Sequence, residues 1–363
     1  MRRRLFLKLT GLLGIGGTGV GAGTISYERR QNRYYSGPVS DHFDGIEFFN
    51  PEGEEPKGLI DVVKWQLNGQ RKKWPASYPS PFDDTPPERV HGNELRVSFV
   101  GHATILVQTQ SINFLTDPVW SKRASPFQWA GPARVNDPGI KFENLPPIDF
   151  ILLSHNHYDH LDLATLQKLH AKFEPLIITP LGNDTILKDH FSEFNITVGD
   201  WGDSVAVSNS VNVTFEPAHH WPARGVADRR NALWAAFVIH TPDGLIYHIG
   251  DTGFHNGINY RAAQEKYGEF RLAILPFGAY EPRYFMRGQH QNPDETVRGH
   301  LLCKTHFTLG HHWGTFQLTD ESIEDQIEHL DEALLKHGVS KEEFRALQPG
   351  EVWNIPLRRE VSA

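Results

Sequence analysis

The segment Ser154-His155-Asn156-His157-Tyr158-Asp159-His160-Leu161-Asp162 follows the apolar run Phe150-Ile151-Leu152-Leu153 without a break. A short apolar run of this kind reads as a buried strand. The chain must therefore fold so that three histidines and two aspartates gather at one strand end. Imidazole nitrogens and carboxylate oxygens are the donors that zinc and similar divalent metals accept. Two nearby metals would share them, His155 and His157 facing one and Asp159 and His160 the other. The pattern points to a metal-dependent hydrolase; the competing reading is a polar helix cap.

Three later segments repeat the chemistry. Pro217-Ala218-His219-His220-Trp221 follows an alternating stretch, Val211 to Phe215. Ile249-Gly250-Asp251-Thr252-Gly253 ends the second arm of a hairpin whose turn is Thr241-Pro242-Asp243-Gly244. Gly310-His311-His312-Trp313-Gly314 follows the strand-like Thr305 to Leu309. Each sets His or Asp at a strand end, where loops gather on one edge of a sheet sandwich. Asp251, with two oxygens, is the natural bridge between two metals, although a Gly-Asp-Thr-Gly segment also suits a plain turn.

Further strands are expected at Leu95–Val100, Ile105–Val107, Ile112–Leu115, Asp149–Ser154, Leu176–Thr179, Trp234–His240, Leu245–Ile249 and Leu272–Leu275. Helices are expected at Leu163–Phe173, near Asp184–His190, and at Pro293–Cys303 and Ser322–His337. The expected class is α/β, with two sheets packed together and helices outside. Residues 27–94 form a Pro- and Gly-rich leader in which Ile60 to Asn68 would be a short helix. Phe48, Phe49, Trp65 and Trp74 would pin it to the body at 95–363. Net charge is −8, so the global basic footprint of a nucleic-acid binder is absent. Cys303 is the only cysteine, which forbids an intrachain disulfide.

Residues 1–26 resemble a twin-arginine export signal. Arg2-Arg3-Arg4 precedes a short Gly-rich apolar run, Leu9 to Ala22. The run falls short of the roughly 20 apolar residues of a spanning helix. The expected destination is the periplasm or cell envelope, with a membrane tether if the signal is retained. The alternative is a disordered basic start.

Taken together, His155-x-His157-x-Asp159-His160 with a later His, Asp and His resembles the metallo-β-lactamase superfamily. Val100-Gly101-His102-Ala103-Thr104, Leu115-Thr116-Asp117-Pro118, Arg123-Ala124-Ser125-Pro126, Leu145-Pro146-Pro147-Ile148-Asp149, Gly250-Asp251-Thr252-Gly253, Tyr284-Phe285-Met286, Gln289-His290 and His312-Trp313-Gly314-Thr315-Phe316 are similar to the branch of N-acyl-phosphatidylethanolamine-hydrolysing phospholipases D. The resemblance covers about residues 97–318. It implies a four-layer αββα sandwich holding two zinc ions, with iron or manganese as other occupants. His155, His157 and His220 would hold one metal; Asp159, His160 and His312 the other; Asp251 would bridge.

By the same resemblance, Asp251, Asp159 and His290 would be the catalytic residues, His290 steadying the phosphate. Read alone, His290 is equally a surface histidine before a helix start. His102 and Asp117 match positions that orient ligands, though His102 also suits a plain core histidine. His240, His248 and His255 are expected to be structural, and Trp221, Trp313 and Phe316 to be packing. The implied reaction cleaves N-acyl-phosphatidylethanolamine to N-acylethanolamine and phosphatidic acid through a metal-bridging hydroxide. The partner is then a phospholipid at a membrane surface, with no nucleic acid, and a homodimer is a family expectation. Trp120, Phe127, Trp129, Phe285 and Met286 are candidates for an apolar groove or a membrane-facing patch, with core packing the competing reading; Arg283 and Arg287 suit headgroup attraction or plain solvated charge. The alternatives are a same-fold lactonase or other soluble-ester hydrolase, and a non-catalytic membrane-associated metal-binding protein.

Overall fold

The computed structural model describes residues 31–358. The arginine run and apolar stretch read as an export signal lie outside the described residues. Two seven-stranded sheets form the body. The first takes β1 (Leu95–Gly101), β2 (Thr104–Thr109), β3 (Ile112–Thr116), β4 (Phe150–Leu152), β5 (Leu176–Pro180) and β6 (Ile196–Gly199). The second takes β7 (Ser204–Ala206), β8 (Asn212–Glu216), β9 (Ala236–Thr241), β10 (Gly244–His248), β11 (Phe270–Pro276), β12 (Thr305–His311) and β13 (Phe344–Arg345). Strand β14 (Val352–Asn354) returns to pair with β1. In each sheet one half is antiparallel and the other parallel: β14 through β3 and then β3 through β6, β7 through β10 and then β10 through β13.

The strands sort their side chains by the period of two that a pleated strand imposes. Val97, Phe99, Ile105, Val107, Phe114, Phe150 and Leu152 point between the sheets, against Val213, Phe237, Ile239, Leu272 and Ile274. Phe114 and Phe150 stack at 4.7 Å in that layer, where truncating either to Ala costs about 3–5 kcal/mol. The alternate residues Leu106, Leu115, Ile151 and Ile177 point outward. They are covered by Leu166 and Leu169 of α2 (Leu163–Phe173) and Leu187 of α3 (Asn183–Lys188). On the far side, Tyr260 and Ala263 of α4 (Ile258–Tyr267) cover Tyr247, Phe270 and Ala273. The result is the four-layer αββα sandwich.

The helix boundaries have local causes. Asp162, the last residue of the histidine motif, is the N-cap of α2, accepting from the amides of Ala164 and Thr165. It is thus a cap and takes no place among the metal donors. Asn292 and Glu295 form a capping box, with Pro293 opening α6 (Pro293–Leu302). Ser322 and Asp325 do the same for α7 (Ile323–His337).

Helix α4, strands β6, β7, β13 and β14 and the single-turn α5 (Arg283–Met286) carried no signal used above. They are short, or, like α4, mostly polar. The leader residues that the structure describes run along the body. Helix α1 (Leu59–Asn68) is held through Trp65, whose Nε1 donates to Asp320 at 2.9 Å. Trp74 donates to the Glu321 carbonyl at 2.9 Å, and Phe43 and Phe48 enter the outer core.

Candidate metal centre

The loops after β4, β8, β10 and β12 meet at one edge of the sandwich. Three ring nitrogens, His155 Nε2, His157 Nδ1 and His220 Nε2, converge there. The first two are 3.0 Å apart, and the second and third 3.1 Å. A tetrahedral zinc with ligands at ~2.0–2.1 Å holds its nitrogens roughly 3.3 Å apart, so this triad has the spacing of a metal face. A second set lies beside it. Asp159 Oδ2 is 3.3 Å from His312 Nε2 and 3.6 Å from His160 Nε2. Asp251 Oδ2 sits between the sets, 3.0 Å from His312 Nε2, 3.2 Å from His160 Nε2, 3.9 Å from His220 Nε2 and 4.0 Å from His155 Nε2.

His160 Nε2 and His312 Nε2 face Asp251 Oδ2 without a well-aligned hydrogen bond, and the second oxygen, Asp251 Oδ1, is buried with none. Such groups are costly unless something satisfies them. Inward-aimed imidazole and carboxylate donors at these separations fit divalent cations, and an imidazole-rich set suits a transition metal better than magnesium or calcium.

The surrounding side chains hold the donors in place. Asp117 accepts from the Ser154 amide at 2.8 Å, the Ser154 hydroxyl at 2.7 Å and His160 Nδ1 at 2.8 Å. Ser154 in turn contacts His155 Nδ1 at 2.9 Å. One carboxylate thereby fixes a histidine in each set. His102 Nε2 lies 2.9 Å from Asp159 Oδ2, so His102 faces the centre and is more than a core residue. His220 Nδ1 donates to the Gln289 carbonyl at 3.1 Å. His102, Asp117 and His312 all have positive φ, at 59°, 37° and 63°, a conformation that L-residues adopt only when their surroundings enforce it. Gly253 lets the Asp251 loop close down: a Cβ there would stand 2.7 Å from the Gly288 carbonyl oxygen.

Electrostatics divide the two sets. Burial, reinforced by neighbouring histidines, holds His155 well below the usual range, His157 down at about 3 and His220 at about 4. These three are neutral and ready to ligate. Burial also works against charge on His160 and His312, but Asp251, with Asp159 beside it, wins. His160 is pushed well above the ordinary range and His312 up to about 9. Burial would raise Asp159 and Asp251, yet His160 and the other facing histidines hold both carboxyls well below the usual range.

Each pair of adjacent histidines is split. His219 stacks on His255 at 4.0 Å and contacts Asn259, leaving His220 in the centre. His311 is buried beside His248, and neither ring has a hydrogen-bond partner among the described residues, leaving His312 in the centre. His290 is 7% exposed, with Nδ1 3.9 Å from Asp251 Oδ2. It is therefore a buried group of the centre and not a surface histidine.

The centre opens into a cavity of about 740 Å³ whose lining includes His157, Asp159, Asp251 and His290. One wall is apolar: Val62 and Trp65 of α1, Phe285, Met286 and Leu318. Phe285 and Met286 thus line the cavity, whereas Trp120, Phe127 and Trp129 lie outside it. Trp120 packs edge-on to Phe142 and donates to the Ile140 carbonyl. Phe127 and Trp129 pack at a tilt against each other at the surface, 52% and 80% exposed. Arg283 is used by Glu295 and two carbonyls, and Arg287 by Glu54. The cationic wall is instead Arg224 and Arg229, beside Trp221, which is a lining residue as well as a packed one. The sequence around Ala223 to Arg230 is visibly Arg-rich, but it does not show which arginine faces inward. Trp313 and Phe316 are core residues, as expected.

Residues 112–313 match the beta-lactamase superfamily domain. The chain is 36% identical over 336 residues to N-acyl-phosphatidylethanolamine-hydrolyzing phospholipase D 1 of Caenorhabditis elegans, covering 87% of this chain and 93% of that relative. The chain belongs to the metallo-β-lactamase superfamily. It is a metal-dependent hydrolase of that fold. The mitochondrial N-acyl-phosphatidylethanolamine-hydrolyzing phospholipase D of Saccharomyces cerevisiae is 30% identical over 239 residues, 64% of this chain and 50% of the yeast protein. A metallo hydrolase from the archaeon Ignicoccus hospitalis shares the fold at a TM-score of 0.54 and 15% identity, over 72% of this chain and 99% of its own.

Proposed function

We propose that this protein is a zinc-dependent phospholipase D that cleaves N-acyl-phosphatidylethanolamine into N-acylethanolamine and phosphatidic acid. The observation that carries the reading is the amphipathic cavity: paired donor sets at its floor and a wall of Val62, Trp65, Phe285 and Met286 above them. A phosphodiester fits the floor and acyl chains fit the wall. The names of the worm and yeast relatives point the same way.

His155, His157 and His220 would hold one ion, Asp159, His160 and His312 the other, and Asp251 would contact both. When bound, the ions supply Lewis acidity to the phosphoryl oxygens and lower the pKa of water from ~15.7 toward ~7. The water oxygen bonds to phosphorus, the bond from phosphorus to the headgroup oxygen breaks, and the leaving alcohol takes a proton. Burial holds His290 neutral, so its ring can donate one hydrogen bond to a phosphoryl oxygen as charge develops. Asp251 and Asp159, both held ionised, keep the donor sets fixed during that step.

Access from a membrane has a structural counterpart. Ile60, Val63 and Leu67 of α1 are exposed, on the helix that turns Val62 and Trp65 into the cavity. One helix would then meet lipid on its outer face and acyl chain on its inner face. No helix among the described residues is long and apolar enough to cross a membrane. Delivery to the cell envelope by the N-terminal signal, and pairing of two chains, belong to the same proposal.

The test is release of N-acylethanolamine from N-acyl-phosphatidylethanolamine vesicles by zinc-loaded protein, lost on chelation and restored by zinc. Protein that holds two metals per chain and releases none would overturn the substrate.

A further inference from the structure

Arg229 and Arg230 are neighbours with opposite partners. Arg230 is neutralised by the leader, pairing with Glu47 and with Glu55 at 2.9 Å. Arg229 forms no ion pair among the described residues. Its guanidinium lies 3.9 Å over the Trp221 ring, and one terminal nitrogen donates to the Lys57 carbonyl at 2.9 Å. Its Nε is sealed by burial without a partner, while its other terminal nitrogen is not sealed and makes no hydrogen bond among the described residues. Trp221 stands edge-on to His157 at 5.3 Å, so Arg229 is one ring removed from the metal donors. Arg224, on the same wall, is different. Its terminal nitrogen is spent on the Asn156 and Leu161 carbonyls, and its guanidinium lies 3.7 Å over Tyr158. Arg224 therefore fastens the histidine motif, while Arg229 is held flat by an aromatic ring with donors to spare.

Glu47 and Glu55 lie within electrostatic reach of Arg229 but both pair with Arg230, so this fixed, half-buried guanidinium keeps no directly bonded carboxylate and can take an anion. The phosphate of a diester is claimed by the donor sets at the cavity floor. We propose that Arg229 binds a second anionic group of the substrate, a carboxylate on the headgroup arm. It thereby sets a preference for N-acylated phospholipids whose headgroup bears a carboxylate, of the phosphatidylserine type. This rests on the diester reading above and narrows it. N-acyl-phosphatidylethanolamine satisfies the floor and the apolar wall but covers Arg229 without pairing it. A serine-type headgroup supplies the missing charge at the same chain length.

The experiment compares N-acyl-phosphatidylserine with N-acyl-phosphatidylethanolamine in identical mixed micelles, using zinc-loaded parent, Arg229→Gln and Arg229→Lys. The expected parent favours the serine diester in kcat/KM by about tenfold, the scale of one charge-assisted hydrogen bond. Arg229→Gln should collapse that ratio, through KM. Arg229→Lys, which keeps the charge but not the planar fork, should restore part of it. Rising salt should erode the parent's ratio and not that of Arg229→Gln. An equal kcat/KM for the two diesters in the parent, or a ratio that Arg229→Gln leaves intact, overturns the second-anion site while leaving the diester reading standing. Failure of the parent to cleave either diester with both metals bound overturns the two together.

Discussion

The two donor sets of the centre each take two residues from one short motif yet sit in opposite electrostatic states. His155, His157 and His220 are surrounded by one another and by buried protein, so they shed their protons. His160 and His312 face Asp251 and Asp159, so they keep theirs. Only Tyr158 and Asp159 separate His157 from His160 in the chain. What differs is the carboxylates that the fold brings to each ring. A metal entering the first set finds lone pairs ready. A metal entering the second must displace protons that are serving as its stand-in.

The most severe way to break this contrast is Asp251→Asn, which removes the charge facing both sets. Metal content should fall below two per chain and turnover should drop by more than ~10²-fold, the scale of losing one electrostatic contact in a water-excluded site. Elemental analysis beside a turnover assay checks it. Full activity with two metals retained would mean that Asp251 does not connect the sets.

Single-set variants should split the loss. Asp159→Ala is expected to leave about one metal per chain, held by the histidine triad, and His157→Ala to leave the other. Titration with a divalent ion, read as stoichiometry, distinguishes this from a shared collapse, in which either variant would empty both positions.

Asp117→Asn is a gentler perturbation because it touches no metal. It loosens His160 directly and His155 through Ser154. Loss of such an orienting partner typically costs 10–100-fold in metal affinity. Both sets should weaken, whereas an effect on only one would show that the Ser154 link carries nothing.

The smallest effects concern protons. His312 in the metal-free protein is raised to about 9 against an ordinary value near 6.5. Its charged form therefore stabilises the fold fully below pH ~6.5, and that stabilisation is lost as pH rises through about 9. The Tm of metal-stripped protein should decline across this window, while metal-loaded protein should not follow it. Calorimetric titration at neutral pH, in buffers of different ionisation enthalpy, should show proton release for the second set and little for the first. Equal release from both would erase the contrast.

Much of this was legible in the sequence. The strand-like segments between Leu95 and Leu115, the alternating Val211 to Phe215 and the apolar runs at 150–153 and 272–275 marked central strands of both sheets, while the short edge strands β6, β7, β13 and β14 left no signal. Asp162, by contrast, looked like a donor in the motif and is a helix cap. Phe127 and Trp129 suited either a lipid groove or a membrane-facing patch, and they lie exposed, outside the cavity. Trp65 and Val62, from a leader with little pattern, form the wall instead. An aromatic side chain carries the same signal whether it is exposed, packed or lining a cavity.

The sequence by itself determined the donors and their order along the chain, because metal ligation demands particular atoms and strand ends present them in short motifs. It also indicated two packed sheets with helices outside, since strand and helix patterns are local, and the resemblance added the four-layer order. Only the tertiary structure decided which histidine of each adjacent pair turns inward, which rings hold protons, and that Arg229 faces the cavity while Arg230 is neutralised. Those outcomes depend on partners far away in the chain: Asn259 for His219, Asp117 for His160, Glu47 for Arg230. Charge and burial act through space, and only folding sets those distances.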